Sequence, residues 1–94
     1  MSIRVVRFTG VPRERVEAVK AMIEEAGGPP PGVPAHRMDL LYDEAGQTAV
    51  VLQHFASRED LEAGARVFDA MDTGDTPGTR ASVDACETVL EIEV

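Results

Sequence analysis

A chain of 94 residues has room for one domain, spanning residues 1–94, and one core. With no Trp, three Phe and one Tyr among 44% hydrophobic residues, that core must be mainly aliphatic. Nine Lys and Arg against seventeen Asp and Glu leave a net charge of −8, which repels nucleic-acid phosphates and anionic membrane surfaces and excludes both as expected partners.

Ile3 to Phe8 (IRVVRF) is rich in β-branched residues and reads as a first strand, with Thr9-Gly10 as its exit. A helix begins near Pro12, since Pro fits a first helical turn. Val16, Val19, Ile23 and Ala26 then recur at helical spacing until Gly27-Gly28 stops the pattern. Pro29-Pro30-Pro31-Gly32-Val33-Pro34 lacks the amides that a helix or central strand needs, and is expected to be a stiff spacer; a proline-recognition segment is the other reading.

His36 to Asp43 and Thr48 to Phe55 flank the turn-forming Glu44-Ala45-Gly46-Gln47 and read as an antiparallel hairpin. Ser57-Arg58-Glu59-Asp60 resembles a capping box, so a second helix starts there. Leu61, Ala65, Phe68 and Met71 form its apolar stripe, Asp72-Thr73-Gly74 its stop, and Thr73 to Thr79 a turn-rich loop. From Ala81 to Val94 the residues alternate as in a last strand, with Cys86, Thr88, Leu90, Ile92 and Val94 on one parity. Cys86 is the single cysteine, so no internal disulfide is expected. It reads as a buried, inert thiol, and the whole as a cytoplasmic protein without a membrane span.

The order βαββαβ is that of the ferredoxin-like α+β sandwich, a four-stranded antiparallel sheet with two helices on one face. An even-length hairpin turn places His36, Met38, Leu40 and Tyr42 on one face with Ala49, Val51, Gln53 and Phe55. Arg37, Asp39, Leu41, Asp43, Val50, Leu52 and His54 then share the other. Leu41, Val50 and Leu52 are too apolar for a face in water, which predicts a homodimer with the last strand pairing with or reaching across the second copy.

The strand-and-helix pattern over most of the chain, and the run Val50-Val51-Leu52-Gln53-His54-Phe55-Ala56-Ser57-Arg58-Glu59-Asp60-Leu61-Glu62-Ala63, resembles the dimeric α+β barrel superfamily, specifically its antibiotic biosynthesis monooxygenase-like members. The resemblance implies a dimeric barrel whose ligand sits between helices and sheet or within the barrel, and activities such as cofactor-independent oxygenation or isomerisation. The chain departs from the family pattern at Phe55, where oxygenase members carry Trp. It also lacks Asn throughout and His in the second helix, both used by the haem-degrading members.

The same hairpin puts Arg37 opposite His54 and Asp39 diagonal to it, so an Asp can orient an imidazole that moves a proton near neutral pH. His54 and Asp39 are the candidate catalytic residues; the alternative is that they hydrogen-bond across a dimer interface or face solvent. Arg37, Tyr42, Gln53 and Phe55 are the candidate ligand contacts, with core packing as the simpler account of the two aromatics. His36 is expected on the face opposite His54, and no closely spaced ligand set points to a metal or other cofactor. Two functions follow: a small-molecule-binding dimeric barrel acting on a hydrophobic or aromatic metabolite without a cofactor, or a non-enzymatic dimeric assembly protein.

Overall fold

The computed structural model describes residues 1–70 and 78–94. Its elements run β1 (Ser2–Thr9), α1 (Arg13–Ala26), β2 (Arg37–Asp43), β3 (Thr48–Phe55), α2 (Arg58–Ala70) and β4 (Thr79–Glu87). The strands form one antiparallel sheet in the order β2-β3-β1-β4, the ferredoxin-like arrangement.

Local chemistry explains the boundaries. Gly27 ends α1 in the left-handed region at φ 78°, where its amide donates to the Ile23 carbonyl at 3.0 Å. Ser57 caps α2 by accepting from the Asp60 amide at 3.2 Å. The expected stop of α2, with Met71 and most of the following loop, lies outside the described residues. Between α1 and β2 the proline run does more than span distance. Gly32 takes φ 87° and the Val33 amide donates to the Pro30 carbonyl at 3.2 Å, a turn that drives Val33 inward until only 7% of it is exposed.

Both helices cover the face carrying Ser2, Arg4, Val6 and Phe8 of β1 and Ala49, Gln53 and Phe55 of β3, all buried. The core there is split in two. Val6, Phe8, Val11, Val16 and Ala49 form a cluster under α1, joined by Leu40, Tyr42 and Val51; Val33, Phe55 and Leu61 form another under α2, joined by Val67 and Phe68. The directly paired Arg4 and Gln53 lie between the Val6–Val51 and Ser2–Phe55 rows, so a polar seam separates the clusters.

The other face carries Ile3, Val5 and Arg7 of β1, Asp39 and Leu41 of β2, and Val50, Leu52 and His54 of β3. None of the described elements packs over it. Leu41 is 49% exposed on this face.

The end of the chain departs from expectation. β4 stops at Glu87 instead of continuing to Val94, because Glu87 already pairs with Ser2, the first residue of β1. One further bond, from the Thr88 amide to the Met1 carbonyl at 3.0 Å, follows before regular structure ends. Cys86 is exposed, not buried: it pairs with Ile3 on the uncovered face, at the sheet edge.

Candidate functional site

The four-residue turn Glu44–Gln47 sets the hairpin register, with Asp43 opposite Thr48 and Arg37 opposite His54. That register delivers Asp39 to His54. The His54 Nε2 and Asp39 Oδ2 atoms are 2.9 Å apart, with side chains 15% and 26% exposed. Arg37 Nε lies 3.3 Å from the same carboxylate oxygen.

The hydrogen bond from His54, reinforced by Arg37, holds the Asp39 carboxyl below the usual carboxylate range, so it is ionised near neutral pH. An ionised carboxylate only accepts, which assigns the proton of a neutral imidazole to Nε2 and leaves the Nδ1 lone pair as the base. The arrangement has the two parts of a proton-transfer device: a base and the group that orients it.

An open cleft of about 460 Å³ lies between the end of α1 and the approach to β2; it shares Arg37 with the His54–Asp39 cluster, but neither His54 nor Asp39 lines it. Ile23, Pro29, Ala35 and Met38 supply apolar lining, and Glu24, His36 and Arg37 supply polar groups. Arg37 thus belongs to both the cleft and the His54–Asp39 cluster. The His36 and His54 rings were expected on opposite faces, yet their centroids are 6.3 Å apart. His36 precedes the first residue of β2, where strand alternation does not yet apply. No group of three His, Cys, Asp or Glu side chains among the described residues is arranged to hold a metal ion.

The remaining ligand-binding candidates lie across the sheet. The Tyr42 hydroxyl donates to the Val11 carbonyl at 2.7 Å and its ring packs on the cluster under α1. Phe55 is fully buried beneath α2. Gln53 is 2% exposed and accepts from the Arg4 guanidinium at 3.2 Å. The sheet therefore unites Arg37, Asp39 and His54 and separates them from Tyr42, Gln53 and Phe55.

Arg4 is the residue that reading the sequence missed. It is 5% exposed, lies 4.9 Å from the Phe68 ring centroid, and has its pKa lowered by burial against the opposing influence of Asp69. The signal was present in the strand alternation, because Arg4 shares parity with Val6 and Phe8.

No membrane-length apolar helix occurs among the described residues. No family model and no curated protein matches the chain. Among solved structures it is similar to that of Rv0793 from Mycobacterium tuberculosis, with a TM-score of 0.54 and 16% sequence identity over 98% of both chains. At that identity the likeness establishes the α+β fold alone.

Proposed function

We propose that the protein is a homodimer, its copies packed across the uncovered sheet face, that binds a small hydrophobic or aromatic molecule beside the His54–Asp39 pair and carries out cofactor-independent proton transfer. The 2.9 Å contact between His54 Nε2 and Asp39 Oδ2 carries this reading, because the pair is half-buried and is joined through Arg37 and the neighbouring His36 to a cleft with apolar lining. Arg37 gives that cleft a fixed cation for an acidic group of the ligand. His54 removes a proton from the bound molecule and Asp39 stabilises the imidazolium that forms. Return of that proton from the His54 imidazolium to a different atom of the same molecule completes an isomerisation, and its removal is the opening step of an oxygenation by dioxygen that begins with deprotonation. The resemblance to antibiotic biosynthesis monooxygenase-like proteins supports both.

A second reading is favoured by a different observation. Tyr42, Gln53 and Phe55 are engaged in packing on the far side of the sheet, as an assembly protein with no ligand site would have them. A thermal-shift screen of aromatic and apolar carboxylic acids separates the two. A ligand at 100 times its dissociation constant adds about 2.7 kcal/mol to stability. For a compound that shifts the melting point and is turned over, His54→Ala lowers kcat by about 10²-fold or more while Asp39→Asn lowers it less. A screen with no shift, or turnover undiminished in His54→Ala, rejects the catalytic reading.

A further inference from the structure

The cleft between the end of α1 and the approach to β2 carries opposite charge on its two walls. Glu24 and the backbone of Gly27 and Gly28 stand on the α1 side, His36 and Arg37 on the β2 side. The helix end sharpens the contrast. The last carbonyls of a helix lack intrahelical partners and form the negative end of its dipole, which a Lys, Arg or His in the final turn commonly offsets. The last turn of α1 has no basic residue, and Glu24 adds a full negative charge there. The main chain is also within reach. A Cβ built at Gly27 or Gly28 meets nothing within 4 Å, so open space borders the backbone where it lines the cleft.

Contacts within the protein engage these charges only in part. Lys20 Nζ is 3.8 Å from Glu24 Oε1, but the two side chains are 62% and 67% exposed, and such a surface pair contributes little. Arg37 meets Asp39 through Nε at 3.3 Å, and its Nη atoms carry further donors. Between the walls, Ile23, Pro29, Ala35 and Met38 supply apolar surface, and the volume of about 460 Å³ falls within the range of small-molecule sites. A ligand that satisfies all three regions needs an ammonium group, a carboxylate and an apolar body. A simple apolar acid would bring its negative charge into the same cleft as Glu24 and the helix end with nothing to offset them.

We infer that this cleft takes a small zwitterion, an α-amino acid with an apolar or aromatic side chain. Its ammonium group meets Glu24 and the α1 carbonyls, its carboxylate meets Arg37 and His36, and its side chain lies against Ile23 and Met38. The inference rests on the cleft being the ligand site proposed above and names the class of molecule that the site selects.

The test is isothermal titration calorimetry of the full chain with L-phenylalanine and L-leucine, with their deaminated acids hydrocinnamate and isocaproate, and with their decarboxylated amines phenethylamine and isoamylamine. At least one of the amino acids binds about 10-fold or more tightly than its acid and its amine. Glu24→Gln removes the advantage over the acid and Arg37→Gln the advantage over the amine. Both side chains are 67% exposed, so neither exchange disturbs the core. Amide resonances of Gly27, Gly28 and Met38 shift on binding. An acid that binds as tightly as its amino acid and still depends on Arg37 overturns the zwitterion and leaves the ligand site standing. An advantage that is unchanged in Glu24→Gln, or binding that leaves these amides unmoved, overturns it as well. If none of these compounds binds at millimolar concentration, the inference and the ligand site fall together.

Discussion

Arg4 and Gln53 show how far one polar pair shapes this interior. A guanidinium between two apolar clusters is tolerated because Gln53 Oε1 accepts one of its protons and Phe68 offers a π face. Gln53→Leu keeps the volume but removes the acceptor, so unfolding free energy falls by about 1–3 kcal/mol, measured by urea denaturation. Gln53→Glu restores the acceptor with a counter-charge and recovers most of that loss. The His54–Asp39 contact was legible beforehand because an even turn length fixes cross-strand pairing. The burial of Gln53 against Arg4 was not: it depends on which helix closes over that row, a long-range fact that strand alternation does not contain.

Among the elements, α2 packs tightly on the sheet at Gly64. A Cβ built there would lie 2.8 Å from Phe55 Cε1, 3.0 Å from Phe55 Cζ and 3.3 Å from Val33 Cγ1. In an exposed helix, Gly→Ala gains about 1 kcal/mol of intrinsic propensity. Here Phe55 is fully buried and has nowhere to move, so Gly64→Ala lowers stability by about 1–3 kcal/mol, checked by thermal melting.

The βαββαβ order, the Gly27 stop of α1 and the Ser57 cap of α2 were all readable as local patterns. Val33 was harder to anticipate, because a proline-rich run conceals that its turn exists to place one side chain over Phe55. The length of β4 also escaped, since alternation continues through Val94 whereas pairing lasts only as far as β1 supplies a neighbour. The exposure of Cys86 follows from the same edge position.

On the scale of the whole molecule, one carboxylate near each edge of the sheet is held in its ionised form. Asp39 on β2 is held by His54. Glu87 on β4 lies 2.8 Å from the Ser2 hydroxyl, whose hydrogen bond lowers its pKa with help from Arg58. Both groups bind protons more weakly when folded than when unfolded. Their contribution is therefore fully present above the ordinary carboxylate range, near pH ~4, and is lost as pH falls through the lowered folded values. Urea denaturation between pH 7 and pH 2.5 shows stability declining below pH ~4, with a shallower decline in Asp39→Asn.

The sheet also works as a partition, with Tyr42, Phe55 and the buried Arg4–Gln53 seam on one side and Arg37, Asp39 and His54 on the other. Core packing and the polar cluster thereby fall on alternate positions of the same two strands. Substitution at Arg37, Asp39 or His54 therefore changes the polar cluster without touching a side chain of either core cluster, so this corner of the sheet can be varied while the fold is kept.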